Sequence, residues 1–298
     1  MDLRFIKLRV AGSDLLLVEG VDGVGTDDRG VDVHSGPGGD LASLARSVLH
    51  RRRGVGALRF VTVARSEKDF RLDVYDREGE NRVARFDAAL CAARWLLDSG
   101  GAGGESLRFK SGEEDILVDI LDGSFLGVSA GPLLGLPDRR PLDAELALER
   151  RMRIEAKGEA FDALPVALGA RGAGIEGVVF FHEGGAGPLK VRLGSRRRNA
   201  IPPVAIPTRS VSEGEIGIGT PRDARVDSVS MAAMALGAAN LLGRSGDDAL
   251  VRSGDGALWA RRNGAGSLYV AARPAYVFRG EFHIEDADSA VWRNDRSP

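Results

Sequence analysis

The chain has 298 residues, 43% of them hydrophobic and 28% charged, and its 41 Lys and Arg against 43 Asp and Glu give a formal charge of −2. That is ample for a sizeable core in one large domain or two modest ones, and it excludes general disorder, a fibre and a disulfide scaffold. The near balance of charge supplies no global basic field for nucleic acid, and no apolar run approaches the ~20 residues of a membrane span.

A single cysteine, Cys91, excludes an internal disulfide, a cysteine-based zinc site and any chemistry that needs two thiols in one chain. The opening MDLRFIKLRV has no leader pattern, so the expected location is the cytoplasm. Forty glycines favour a strand-and-turn architecture over a helical bundle.

In chain order, Leu3 to Val18 reads as a hairpin with Gly12-Ser13 at its tip, followed by a Gly/Asp-rich loop over 21–40. Asp40 is placed to cap a short helix running to His50, with Leu41, Leu44, Ala45 and Leu49 on one face. Leu58–Val63 and Phe70–Tyr75 read as strands. Phe86–Asp98 (FDAALCAARWLLD) is a helix closed by Ser99-Gly100-Gly101. Leu107–Lys110, Asp115–Leu121 and Ser124–Ser129 form a meander, and the Pro-rich, charged stretch Leu136–Pro141 marks a boundary.

Beyond it, Ile175–Phe181 and Leu189–Leu193 read as strands, and 194–215, with its prolines, as a long surface loop. A strand begins at Ile216. Ser228 or Ser230 is placed to cap a second Ala-rich helix that ends at Gly243. Leu250–Ala260, Ser267–Ala272 and Ala275–Ile284 read as strands. Strands, small-residue helix, strands thus occurs twice, a faint internal duplication.

Four stretches together resemble the diaminopimelate epimerase family, cofactor-independent amino-acid epimerases. Phe5-Ile6-Lys7 through Gly12-Ser13-Asp14 to Val18 is similar to the family's F-x-K-x-x-G-x-G-N-D-F-V-V-V. Arg51 through Gly54-Val55-Gly56-Ala57 is similar to its R-x-x-G-I-G-A. Asp69–Tyr75, Glu78-Gly79 and Cys91-Ala92-Ala93-Arg94-Trp95-Leu96 follow its strand, turn and C-V-A-R-Y-L helix. Pro274-Ala275 through Val277-Phe278-Arg279-Gly280-Glu281 is similar to its G-P-A-x-x-V-F-x-G-E. The resemblance implies an α+β protein of two similar domains, each a curved, mostly antiparallel sheet around a central helix, with a cleft between. The implied division is 1–136 plus 281–298 for one domain and 137–280 for the other.

The departures bear on function. The family sets one thiol on each face of the substrate's α-carbon, one taking the proton and the other returning one. If Cys91 matches the structural cysteine of the first motif, the catalytic position holds Arg85, followed by Phe86 and Asp87. The second catalytic cysteine falls near Ser228 or Ser230. The family's asparagine in G-N-D is Ser13, and the one before the D-G turn is Asp76. In the family both central helices aim their N-termini at the substrate carboxylate, whereas here Phe86 and Asp87 would block and repel it.

Each candidate also has an ordinary reading. Cys91, among Ala and Leu, reads as a small buried hydrophobe. Arg85 could clamp a carboxylate or pair with Asp87 or Asp76, but it stays protonated and cannot be a base. Ser228 and Ser230 read as caps before proton donors. The four histidines are scattered without metal spacing, and the runs Arg51–Arg53 and Arg196–Arg198 read as solvated loop charge that could touch phosphates. The expectation is an epimerase-like protein without two-thiol activity, needing no cofactor and no metal. Its candidate partners are a small amino-acid-like ligand and a second copy of the chain, not nucleic acid or membrane. The alternative is an active isomerase of the same fold, diaminopimelate epimerase of lysine biosynthesis included, using non-cysteine acid/base groups.

Overall fold

The computed structural model describes residues 2–18, 41–66, 69–82, 86–112, 114–156, 159–168, 175–181, 204–212, 214–219, 226–254 and 256–283. The first half comprises β1 (Asp2–Val10), β2 (Ser13–Val18), α1 (Leu41–Val48), β3 (Arg59–Arg65), β4 (Phe70–Tyr75), β5 (Asn81–Arg82), α2 (Phe86–Asp98), β6 (Ser106–Ser111), β7 (Glu114–Asp122) and β8 (Phe125–Gly135). The second comprises β9 (Arg140–Pro141), α3 (Ala144–Arg150), β10 (Met152–Ala156), β11 (Glu159–Leu168), β12 (Ile175–Phe181), β13 (Val204–Ser212) and β14 (Glu215–Ile218). It continues through α4 (Ser228–Leu241), β15 (Asp248–Ser253), β16 (Gly256–Arg262), β17 (Ser267–Ala272) and β18 (Ala275–His283).

The architecture is α+β, dominated by mostly antiparallel strands wrapped around two central helices. In one half β1, β2, β7 and β8 pack on α2; in the other β8 and β11 to β17 surround α4. The two helices read differently for a physical reason. α2 keeps a partly exposed stripe at Arg94, Trp95 and Leu97, whereas every α4 residue but Asn240 is buried. A helix apolar all round belongs in a core. Its Ala, Met and Leu also favour helix intrinsically, and the alanines let strands approach on all sides.

Both central helices end in the same device. Gly100 (φ 69°) donates to Leu97 O at 3.2 Å and Gly101 to Leu96 O at 2.9 Å. Gly243 (φ 66°) donates to Asn240 O at 3.0 Å and Arg244 to Ala239 O at 2.7 Å. Each is a Schellman closure, for which a left-handed glycine is the natural residue. The chain ends where it began: β18 pairs antiparallel with β1, Phe5 opposite Gly280, whose missing Cβ makes room for the Phe5 ring. A side-chain atom there would lie 2.8 Å from the ring.

Three expectations need correction. Residues 204–212 are strand β13, parallel to β12 and antiparallel to β14, and not loop. Prolines disguise it, yet Pro207 still offers its carbonyl to Gly219 N at 3.2 Å. Leu250–Ala260 is not one strand but the hairpin β15–β16, turning at Gly254 (φ 59°). The cap of α4 is Asp227, not Ser228 or Ser230. The 21–40 loop, Asp40, Leu189–Leu193, 194–203 and everything after His283 lie outside the described residues.

Candidate functional site

The tip of the β1–β2 hairpin reaches both central helices. Ala11 (φ 42°) and Gly12 (φ 82°) turn the chain in the left-handed region, delivering Ser13 at the first position of β2. Ser13, fully buried, donates its hydroxyl to Asp87 Oδ2 in the first turn of α2. On the other side Ser228, the first residue of α4, donates to Val10 O at 2.9 Å. Gly256 lets this tip sit against the β15–β16 turn, since a Cβ there would lie 2.4 Å from Ala11 Cα.

Arg59, the first residue of β3, lies between the helix starts and is 1% exposed. Its Nη1 donates to Asp87 Oδ2 at 2.5 Å and to Ser13 Oγ at 3.0 Å, and its Nη2 donates to Val226 O at 2.9 Å. Val226 immediately precedes Asp227, whose carboxylate accepts from Ser230 N at 2.7 Å and Ser230 Oγ at 2.9 Å. Each helix N-terminus therefore already has an anion, Asp87 or Asp227, in the place where free N–H groups and the helix dipole would draw one from outside. A guanidinium joins one to the backbone beside the other.

Burial pushes the Asp87 carboxyl up from the ordinary aspartate range; Arg59 pulls it back and Asp227 pushes it further up. Asp87 Oδ1 is buried with no hydrogen-bond partner. Cys91, one turn along α2, is fully buried, and burial followed by the Asp87 charge pushes its thiol well up. Such a thiol is a poor nucleophile and a poor base at neutral pH.

Of the residues singled out from sequence, the structure brings Ser13, Asp87, Ser228 and Ser230 into one cluster. Asp76 is elsewhere: its Oδ1 accepts from Glu78 N at 3.0 Å and Glu80 N at 2.9 Å, organising the β4–β5 turn. Phe86 packs, half-buried, on the core. Arg85 lies outside the described residues. Sequence reasoning missed Arg59 and Asp227. A lone Arg opening the apolar run RFVTV, and an Asp directly before SVS, were the available signals. Among the described residues no group of three or more His, Cys, Asp or Glu could hold a metal. No helix among them is long and apolar enough to cross a membrane.

The capping role of Asp227 is testable. Asp227→Ala should lower stability by about 1 kcal/mol. Asp227→Asn, which can still accept from Ser230 N and removes the like charge near Asp87, should lose less. Urea midpoints compare the two, and equal losses would remove Asp227 from the capping role.

No family model matches the chain. Diaminopimelate epimerase of Carboxydothermus hydrogenoformans is 23% identical over 171 residues, covering 56% of this chain and 57% of that protein. The matched stretch spans about half or less of the length of the curated relatives. The PhzF-family phenazine biosynthesis protein of Bacillus anthracis superposes with a TM-score of 0.60 at 13% identity, covering 95% of this chain and all of that one. The hydroxyproline epimerase of Agrobacterium vitis, solved with bound trans-4-hydroxy-L-proline, gives 0.58 at 14% identity over 96% of this chain and 92% of its own.

Proposed function

The chain is by fold a divergent member of the isomerase family that includes diaminopimelate epimerase, and from that premise we propose that it is a non-catalytic member whose inter-helix site is filled by its own side chains. The observation that carries this reading is Arg59, buried between the two helix starts and bonded to Asp87 on one side and Val226 O on the other. Inverting an amino-acid α-carbon without a cofactor needs a base on one face and an acid on the other, with the substrate carboxylate held between. Arg59 cannot be a base. Cys91 is shut in α2, and Asp227 is committed to its cap. The reading keeps the division into 1–136 with 281–298 and 137–280, and it carries no cofactor.

A second reading rests on Asp87 Oδ1. A buried carboxyl oxygen without a partner, on a group pushed up by burial, is what a general acid requires. In that case the protein is a cofactor-independent isomerase working through Asp87, and the small amino-acid-like substrate would have to displace Arg59.

Deuterium exchange at the α-carbon separates the two. With purified protein and either stereoisomer of diaminopimelate or with hydroxyproline in D₂O, mass spectrometry should show no incorporation above a no-protein control. Incorporation that disappears in Asp87→Asn would overturn the non-catalytic reading and establish the second.

A further inference from the structure

A different part of the molecule concentrates positive charge. Arg46, His50, Arg51, Arg52, Arg53 and Arg77 line a cavity of about 500 Å³, within the range of small-ligand sites. Because the whole chain carries −2, this field is local. Two turns build it. The chain leaving α1 folds back so that Gly54 N donates to His50 O at 2.8 Å, and Val55 and Gly56 both donate to Val48 O, at 2.9 and 3.2 Å. Gly54 is required there, since a Cβ would lie 2.4 Å from the Ser47 and Val48 carbonyl oxygens. The β4–β5 turn, held by Asp76, presses against α1 at Gly79 (φ 76°), where a Cβ would meet Ala42 O at 2.4 Å and Arg46 Nη1 at 2.7 Å. Arg77 is aimed from that turn by its Nε bond to Ala57 O at 3.0 Å.

Arginines near a helix C-terminus are often explained by its dipole. Here the backbone of 54–56 already satisfies the last carbonyls of α1, so that role leaves most of the guanidinium groups unused. The like charges also work against one another: burial and then Arg51 pull Arg77 down from the ordinary arginine range. No carboxylate lines the cavity to relieve them, and no aromatic ring lines it to stack a base. Guanidinium groups bind phosphate oxygens in bidentate fashion, and several of them converging favour an anion with several adjacent charges.

We propose that this cavity is a binding site for a compact oligophosphate, with Arg51, Arg52, Arg53 and Arg77 holding the phosphate oxygens. The absence of stacking groups in the lining makes the phosphates, not an attached base, the recognised part. The site is separate from the Arg59–Asp87 cluster, so its success or failure leaves the reading of that cluster intact.

Isothermal titration of the full chain with inorganic pyrophosphate tests the assignment. One-to-one binding is expected, weakening as salt rises from about 50 to about 200 mM. Arg51→Ala/Arg52→Ala, two exposed positions, should reduce affinity by about tenfold or more, with an unchanged thermal midpoint in the absence of ligand. Arg77→Gln should reduce it independently. Arg108→Ala/Arg261→Ala, an equal loss of charge elsewhere, should leave affinity within about threefold. No saturable heat up to about 1 mM pyrophosphate, or equal weakening by both double variants, would overturn the proposal. So would tight binding of a single-stranded oligonucleotide or of anionic vesicles that pyrophosphate does not displace, since that would make the arginines a macromolecular surface.

Discussion

Arg59→Ala is expected to lose about 3–5 kcal/mol of stability at neutral pH, read as the shift in urea unfolding. The loss is large because Asp87 would remain fully buried without its cation. It should also depend on pH, with a definite sign. Burial raises the folded-state pKa of Asp87 above its unfolded value of roughly 4, so its contribution is fully present below that value and is lost as pH rises through the folded pKa. Arg59 lowers the folded pKa; without Arg59 the pKa climbs, and the loss spreads over a wider range. The Arg59→Ala penalty should therefore be smallest near pH 4 and grow toward neutrality. The double variant Arg59→Met/Asp87→Leu should recover most of the stability, since apolar residues of similar size tolerate such a site. A neutral-pH loss below about 1 kcal/mol for Arg59→Ala would mean that the pair is not closed as described.

Leu236→Ala should lose about 2–5 kcal/mol, the range for deleting a fully buried leucine. Leu236 lies mid-α4, among strands from around the second half and close to β8, whose Leu133 approaches neighbouring Gly237 to 3.1 Å from a notional Cβ. Little can collapse to fill the gap, because α4 is enclosed on every side. Leu148→Ala in α3, at 54% exposure, should change stability by less than about 0.5 kcal/mol. Comparable losses at the two positions would contradict the placement of α4 at the centre of its half.

Local patterns in the sequence revealed much of the fold. The bounds of α2 agree with the expectation residue for residue, because an Ala/Leu run closed by a glycine pair is an unambiguous local pattern. The β1–β2 hairpin and β6–β7 alternate cleanly between buried and exposed faces. Residues 142–168 gave no comparable signal: α3 has seven residues, and β10 and β11 carry charges and Pro165. Pro207 hid β13, and one continuous apolar reading hid the turn at Gly254. The site divided along the same line. Ser13 and Asp87 stood out because they replace residues of a motif, and Ser228 and Ser230 because serines open helices. Arg59 meets its partners 28, 46 and 167 residues away, so no window of sequence contains the interaction that defines it. Asp227 was passed over because two good capping residues follow it within three positions.

β8 serves both halves at once. Its first residues pair with β7, its middle with β17 and its last three with β11, and both α2 and α4 pack on it. A chain severed in the turn after Gly135 would send this strand away with the N-terminal piece. The C-terminal piece would then present the flanks of β11 and β17 as open edges, with rows of unpaired N–H and C=O groups, and the N-terminal piece would present the matching edge of β8. Co-expressed, the fragments should reassemble by strand addition along that edge; expressed alone, each should aggregate.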